Sequence, residues 1–507
     1  MKKRIIYSYF NVDEHRLIVD SLHDKHCWEP IFFHGDESMR SWVEEKYPDA
    51  VLQDAMALRQ SRFDYSRIGK PVPIDAEIIG TLSRYESRYL NWLEDTTGWN
   101  FSFYERRRYY YDLLKYWNTV IHHLKPDIFV AYTWPHLPSD YPLYILCKHY
   151  YSIPVVFFIP IPFLEDEYYT FGYSLEDLSA QFSDIYLSEE YLEVSNVVKK
   201  YLARLRSQEA KSPKYVIDYY RRLDKSYRYR HMDILRLLKM ILRGTAFNMA
   251  GIAFKKNKKP WESKYSKLTN IGYLWFKSNL VRKNKKLKRY YNKLAKPADL
   301  KEKYLYFPAP YQPEAISNLF VGVYEDIFLV LDMITDIIPG DWVIYYKEHP
   351  NTLKERDKGA LGRSNHFYNK VNSYSNVRII PFETNTFTLI DNSQAVFTVG
   401  GTAGWEAIVR GKPALFFGSL WYQSCKSVFF IRTYDDAKEA IENIVNGFVP
   451  DEGDVERFAE AMHKACIKDL IAVNDIDEKT KKCNYPKHEM ERIAKAFYKA
   501  YEMFYGR

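Results

Sequence analysis

Two short stretches of this chain bring together residue types that handle phosphate. The first is Tyr345–Asn351, YYKEHPN, and the second is Thr398–Gly418, TVGGTAGWEAIVRGKPALFFG. Each reads as the C-terminal end of a β-strand running into a loop that opens toward a helix. In an open parallel sheet that is where ligands bind. Gln394–Val399 is apolar and β-prone, so it reads as a buried strand. Gly400, Gly401, Thr402, Ala403 and Gly404 then offer backbone N–H groups and one hydroxyl at a helix start, a ready anion site. Trp405–Arg410 fits a short helix, Gly411 its C-cap, and Lys412-Pro413 the turn into the next strand, Ala414–Phe417. Either stretch alone reads equally well as a tight structural turn. Together, on consecutive strand ends, they point to a nucleotide site.

Individual side chains carry this reading further. Pro350 biases His349 toward extended backbone, so its ring can turn into a cleft and an imidazole N–H can bond a phosphate oxygen. Lys347 lies two residues earlier and shares a side of the strand with His349. The alternative is a turn histidine satisfied by its own loop. Glu406, one turn inside the helix, is favourable to the helix dipole in any case. Gln312 and Glu314 follow strand Tyr304–Phe307 in a Pro-rich loop, FPAPYQPE, long enough to reach the same cleft. There Gln312 could read a base or sugar and Glu314 could hold a sugar hydroxyl. Capping of the next helix competes with both roles.

The elements needed to position these residues are legible in outline. A chain of 507 residues exceeds one ordinary core. Residues 1–190 read as an α/β unit, with strands at Arg4–Tyr9, Pro30–Phe33, Asp127–Tyr132, Pro154–Ile159 and Asp184–Leu187. Helix Glu105–Leu124 and a crossover helix Tyr141–Tyr151 make a βαβ pattern with parallel strands. Residues 301–470 form a second α/β unit. Its strands are Tyr304–Phe307, Trp342–Tyr346, Val377–Ile380, Ala395–Val399 and Ala414–Phe417, with helices between them, the first near Leu319–Ile338. Residues 471–507 close with a helix, His488–Tyr505.

Between the units, residues 191–300 read as a basic helical insert, apolar every three to four positions between cations. From Tyr201 to Lys303 there are 29 Lys and Arg against 7 Asp and Glu, so the rest of this +8 protein is acidic. Aromatic content is 17%, including 45 tyrosines, whose flat faces and polar tips suit sugars and wet interfaces. Five scattered cysteines with no CxxC pair argue against a disulfide framework or a zinc site. The start, MKKRIIYSYF, lacks the apolar core of a signal peptide, and no window approaches about eighteen uncharged apolar residues. A reducing cytoplasm is the expected compartment.

The order YFPAPYQPEA, YYKEHPN, then TVGGTAGWEAIVRGKPALFFG followed by Trp421-Tyr422 resembles the bacterial capsule polysaccharide biosynthesis proteins. The resemblance covers roughly residues 301–430, and more loosely TWPHLPSDYPLY at Thr133–Tyr144. That family contains GT-B glycosyltransferases, including Kdo transferases. The resemblance implies an α/β GT-B fold, two Rossmann-like domains facing a central cleft, with nucleotide sugar held by the C-terminal one. It implies that His349 and Thr402 hold the donor phosphate, and that Glu406 accepts from ribose hydroxyls. Many members carry a serine pair or Asn-Ser where this chain has Gly400-Gly401-Thr402.

Glycosyl transfer needs a base near the acceptor hydroxyl and N–H groups or cations on the departing phosphate. His136 and Asp140, just after strand end Val130–Tyr132, are the favoured catalytic pair. Ser139-Asp140 also reads as a helix N-cap. Further candidates are Asp13, Glu14 and His15, and Glu165, Asp166 and Glu167. The expected donor is a nucleotide sugar, with a CMP-sugar such as CMP-Kdo favoured; the acceptor is a lipid-linked or growing glycan. No cofactor and no metal are expected. The basic insert is expected to meet an anionic membrane surface, on the inner face of the plasma membrane, rather than nucleic acid. A CDP-polyol-dependent polyol-phosphate transferase, a non-catalytic scaffold of an assembly complex and a sugar-nucleotide epimerase remain open alternatives.

Overall fold

The computed structural model describes residues 2–96, 102–161, 168–188, 192–207, 270–312, 318–354, 359–468 and 487–506. The first unit begins with β1 (Lys3–Ser8), α1 (Asp13–His26), β2 (Trp28–Gly35), α2 (Arg40–Lys46) and β3 (Val51–Asp54). Two long helices follow, α3 (Ala76–Thr96) and α4 (Phe103–Leu124), then β4 (Ile128–Ala131), α5 (Tyr141–Ile145), β5 (Val155–Ile161) and β6 (Tyr168–Gly172). Helices α6 (Ala180–Ser188) and α7 (Asn196–Arg206) lead out of it.

The second unit is α8 (Asn270–Leu294), β7 (Lys303–Pro308), α9 (Ile327–Ile337), β8 (Trp342–Lys347), α10 (Asn365–Ser373), β9 (Val377–Ile379), α11 (Thr386–Asn392) and β10 (Ala395–Thr398). It continues with α12 (Ala403–Val409), β11 (Ala414–Phe416), β12 (Phe429–Phe430), α13 (Tyr434–Val445) and α14 (Glu452–Ala465). The chain then returns through β13 (Ile467–Lys468) and ends in α15 (Lys487–Tyr505).

Two sheets result. The second-unit sheet has the order β12-β11-β10-β7-β8-β9 and every pairing in it is parallel. The first-unit sheet has the order β13-β6-β5-β4-β1-β2-β3. It is parallel from β3 to β5, while β6 and β13 add antiparallel at one edge. In each sheet the strand order reverses beside the first strand, between β1 and β4 and between β7 and β10. Those two switch points open the crevices in which such sheets bind ligands.

Three apolar cores hold this arrangement. One packs α1 and α15 against the outer face of the first sheet, through Ile18, Phe33, Phe158 and Phe497. Another covers the outer face of the second sheet with α9, α10 and α13. The third runs without a break from one unit into the other, from Trp117 and Phe157 to Trp405, Trp421 and Phe458. Continuous burial across the junction fixes the units against each other.

Several local expectations change. Asp184–Leu187 is helical, inside α6, because Phe182 and Tyr186 stand four residues apart and both are buried on one helix face. The expected crossover helix Tyr141–Tyr151 is present from Tyr141 to Tyr150, as α5 continued by a wider π-helical turn at Leu146–Tyr150. The helix near Leu319–Ile338 is confined to α9, capped by the Asp326 side chain on Phe328 N. In the expected basic insert, residues 208–269 lie outside the described residues. The described part of α8 packs Leu280, Asn284, Leu287 and Tyr291 inward and leaves Arg282, Lys283, Lys286 and Arg289 exposed. No described helix is long and apolar enough to cross a membrane.

The final helix is a stability element of the first unit. Phe497 sits 4.4 Å from Phe158, 4.8 Å from Phe171 and 6.1 Å from Phe10, ring centre to ring centre. Phe497→Ala is expected to destabilise the protein by about 3–5 kcal/mol. Urea unfolding followed by tryptophan fluorescence measures this.

Candidate active site

The second-unit switch point gathers the loops that follow β7, β8 and β10. Lys347 ends β8 and is buried. Its Nζ donates to the Thr384 carbonyl at 2.9 Å and to Thr386 Oγ1 at 2.6 Å, and it lies 5.7 Å from the Tyr306 ring centre. Burial pulls its pKa down to about 8, against the attraction of Glu406. Burial in turn raises the Glu406 carboxyl, opposed first by the Thr402 hydroxyl and then by Lys347 and Arg410. Thr402 Oγ1 donates to Glu406 Oε1 at 2.8 Å. Thr402 and Glu406, both half-buried, thus stand within reach of the buried Lys347 charge at the crevice.

Around the Gly-rich turn, polar groups are drawn inward. Gly401 takes φ +97°, a left-handed conformation that glycine alone adopts freely. The Tyr422 hydroxyl donates to the Gly401 carbonyl at 3.0 Å, and the Gly404 and Trp405 amides lie against its oxygen. A Cβ at Gly404 would sit 2.5 Å from that oxygen, which explains the glycine. Gly400 is tied to the Thr398 hydroxyl through both its amide and its carbonyl. The Gly400 and Gly404 amides and the Thr402 hydroxyl therefore have partners inside the turn. Tyr422 was not singled out for this role because the contact crosses two loops.

The His349 turn stands on a residue that the motif reading passed over. Glu348 is fully buried and accepts from Tyr346 Oη (2.9 Å), Tyr368 Oη (2.9 Å), Arg363 Nε (3.0 Å) and the His349 amide (3.0 Å). Its own amide donates to Tyr291 Oη of α8 at 3.0 Å. Burial lowers the Arg363 pKa, and Glu348 outweighs it, so the guanidinium stays charged. Arg363 also donates to Gln312 Oε1 at 2.9 Å and to the Pro310 carbonyl at 3.0 Å. The Gln312 amide nitrogen reaches the Glu325 carbonyl at 2.8 Å. Gln312 is thus clamped within its unit, though it also lines a cleft of about 230 Å³ with Asn91 and Asn318. Glu314 lies outside the described residues.

His349 itself is half-buried, its ring 5.5 Å from that of Tyr311. Nδ1 accepts the Asn351 amide at 3.2 Å, so in the neutral ring the proton sits on Nε2 as a donor. Pro350 is exposed.

At the first-unit switch point the chain leaves β1 through Tyr9, whose φ of +64° is unusual for a side chain of that size. Tyr9 Oη meets Ser139 Oγ at 3.1 Å and Arg59 Nη2 at 3.4 Å. Asp140 is fully buried. Its Oδ1 accepts the Leu137 amide at 2.8 Å, and burial pushes its pKa up to about 8. It occupies the N-cap position of α5 but does not cap it. His136 is half-buried and Nδ1 lies 2.7 Å from the Trp134 carbonyl, so Nδ1 donates and Nε2 keeps its lone pair. Burial lowers the His136 pKa. His136 and Asp140 share the loop but are not hydrogen-bonded to each other.

Of the further candidates, Asp13 pairs with Arg16 at 2.7 Å on the surface. His15 is buried and stacked 3.5 Å from Tyr132, its pKa pushed down to about 3 by burial. Glu14 is buried. Glu165, Asp166 and Glu167 lie outside the described residues. Arg59 and Tyr9 had no sequence signal, since neither sits in a recognisable pattern.

The units meet at these loops. Trp134, beside His136, packs 4.6 Å from Phe320 of the second unit, and Asn91 Nδ2 donates to Glu325 Oε1 at 2.8 Å. Two Rossmann-like units with their strand-end loops turned to a shared cleft define a GT-B architecture. Residues 312–425 match the family model described as "Capsule polysaccharide biosynthesis protein". No curated protein matches it.

Among solved structures, the chain is similar to the UDP-GlcNAc 2-epimerase of Methanocaldococcus jannaschii at 14% identity, covering 92% of this chain and 100% of that one, TM-score 0.25. It is similar to the UDP-GlcNAc 2-epimerase of Neisseria meningitidis at 10% identity, covering 92% and 99%, TM-score 0.25. It is also similar to Thermosulfurimonas dismutans KpsC, a beta Kdo 2,4 transferase, at 15% identity, covering 36% of this chain and 55% of that one, TM-score 0.23.

The buried Asp140 carboxyl yields a signed expectation. Its folded pKa of about 8 exceeds the ordinary 3.8, so the folded state holds a proton that the unfolded state releases. That stabilisation is complete below the unfolded pKa and is lost as pH rises through about 8. Asp140→Asn, which keeps the neutral shape, is expected to raise Tm relative to the parent at pH 9 and to match it near pH 4. Calorimetry across that range checks it.

Proposed function

We propose that the protein is a GT-B glycosyltransferase of capsule or surface polysaccharide synthesis. The second unit holds a nucleotide-sugar donor, a CMP-activated sugar such as CMP-Kdo in the first instance. A lipid-linked or growing glycan enters from the first unit. The observation that carries this reading is the Trp134–Phe320 contact, which sets the His136 loop against the second unit's strand-end loops. In this reading a base-capable imidazole and phosphate-handling groups serve one cleft from its two sides.

In this reading the donor phosphate takes the Nε2–H of His349, with Pro350 holding the turn. The Gly400–Gly404 backbone shapes the floor, and Tyr422 keeps its amides in place. Lys347, held by Thr384 and Thr386 and attracted by Glu406, supplies positive potential to the departing phosphate when protonated. A group worth this much in a dry site loses most of its effect in water. Gln312 holds the rim of the donor loop, and Glu314 is assigned to a sugar hydroxyl.

The acceptor hydroxyl gives its proton to His136 Nε2. His136 suits this because it is partly open and its lone pair is set by the Trp134 carbonyl. Asp140, closed off and neutral at pH 7, shapes the loop around it through the Leu137 amide. The oxygen of the acceptor then attacks the anomeric carbon as the bond to phosphate breaks, without a metal or cofactor. The exposed cations of α8 hold the enzyme on an anionic membrane surface, each worth about 1 kcal/mol there.

A thermal-shift panel of CMP, CDP, UDP, GDP and UMP tests the donor site. One nucleotide is expected to stabilise the parent, by about 2.7 kcal/mol at a hundred times its Kd, and to fail with His349→Ala. No shift with any of the five at millimolar concentration would overturn the transferase reading in favour of a scaffold. His136→Ala is expected to lower turnover by about 10²–10⁴-fold, with nucleotide stabilisation unchanged. Transfer assayed with a chelator present measures it, and undiminished turnover removes His136 as the base.

A further inference from the structure

A second concave site lies between the units, apart from the His349 turn. It is a cleft of about 390 Å³ bounded by α3 on one side and by the loops after β11 and β12 on the other. In the second sheet β11 is three strands from β8, roughly 14 Å along the sheet at ordinary strand spacing. Its volume falls within the usual range for small-ligand sites.

The wall is built by close backbone approach. A Cβ at Gly418 would lie 2.3 Å from the Val399 carbonyl oxygen and 2.8 Å from Val321 Cα. Only glycine lets these two loops touch. Gly322, at φ +68°, turns the chain so that its open side faces the Arg88 guanidinium, 3.5 Å from where a Cβ would stand.

Three guanidinium groups line the cleft. Arg84 and Arg88 stand one turn apart on α3, and Arg432 enters from the loop after β12. Arg84 is engaged, at 3.8 Å from Glu176 and bonded to the Tyr85 hydroxyl. Arg88 lies over the Tyr85 ring at 5.7 Å and Arg432 over the Phe430 ring at 4.6 Å. Among the described residues no carboxylate forms an ion pair with either. Glu325, which feels Arg88, receives the Asn91 amide, and Asp436, near Arg432, receives the Arg432 and Thr433 amides.

Tyr144, Phe320 and Phe417, all largely buried, are among the residues that line it. His149 stacks on Tyr85 at 4.5 Å, and its buried Nε2 has no hydrogen-bond partner there. Two planar cations without an ion-paired carboxylate among the described residues lie over aromatic faces beside a spare ring nitrogen, and they match a carboxylate or phosphate carried on a flat, partly apolar ring.

We propose that this cleft binds the acidic group, carboxylate or phosphate, of a saccharide acceptor. The inference rests on the glycosyltransferase reading for calling that saccharide an acceptor. The oxyanion lies between Arg88 and Arg432, while the sugar ring packs on Phe320 and Phe417.

Calorimetric titration of the full chain with glucuronic acid, glucose 6-phosphate and glucose tests it. At least one acid is expected to bind the parent about tenfold or more tighter than glucose, a difference of about 1.4 kcal/mol. Whichever acid binds tighter identifies the carboxylate or the phosphate as the natural group. The Arg88→Gln/Arg432→Gln variant is expected to lose this preference, and Arg432→Gln alone, on an exposed turn, to lose part of it. Both variants are expected to keep the parent's nucleotide thermal shift, which shows that the fold is intact. Equal binding of acids and glucose, or acid binding undiminished in the double variant, overturns the proposal. Failure of every nucleotide with retained, Arg-dependent acid binding would sink the transferase reading and leave the anion site standing.

Discussion

A carboxylate taken wholly out of water must find its charge and its hydrogen bonds inside the protein. Glu348 meets that demand with Arg363, two tyrosine hydroxyls and the next backbone amide. Replacing one partner of such a pair ordinarily costs about 3–5 kcal/mol, because the other charge is left buried and alone. Arg363 then spends its remaining N–H groups on Pro310 and Gln312. The loop after β7 and the turn after β8 are therefore held by one ion pair rather than by their own sequences. His349 keeps its place because the residue before it cannot move.

The same constraint works more quietly across the junction. Trp405 of α12 donates to Tyr201 of α7 at 3.0 Å, and Arg410 pairs with Asp391 while reaching the end of α7. Tyr186 of α6 receives the Lys426 amide at 3.0 Å. With a continuous apolar core beneath them, these contacts make the cleft a shaped surface rather than a gap between two bodies. Residues from both units can then face one ligand, which a phosphate-leaving transfer to a bulky acceptor requires.

The sequence reading placed the second unit well and the first unit less well, for physical reasons. All five expected second-unit strands are present, since buried parallel strands read as apolar runs punctuated by Gly and Pro. Helix α3 went unread because its buried face is largely tyrosine and tryptophan, Tyr85, Tyr89 and Trp92, whose aromatic character is neutral between helix and strand. Strand β6 pairs antiparallel at the sheet edge, outside the parallel βαβ pattern that the sequence reading followed. Strand β12 is only two residues long. Among site residues, the KEHPN motif pointed to the right turn, yet its central charge proved to face the core, away from Lys347 and toward Arg363.

What the sequence by itself determined is local: the strand ends, the glycines that allow the Gly401 turn and the Gly418 contact, and the proline that sets His349. These depend on φ, ψ and burial period, which neighbouring residues dictate. Partnership was decided only by the tertiary structure. Tyr422 against the Gly-rich turn, Arg363 under the Pro-rich loop, Arg59 beside Tyr9, and Arg88 and Arg432 on one cleft join residues far apart in the chain. Their energies arise from desolvation and from hydrogen bonds that exist only once distant segments have been packed together.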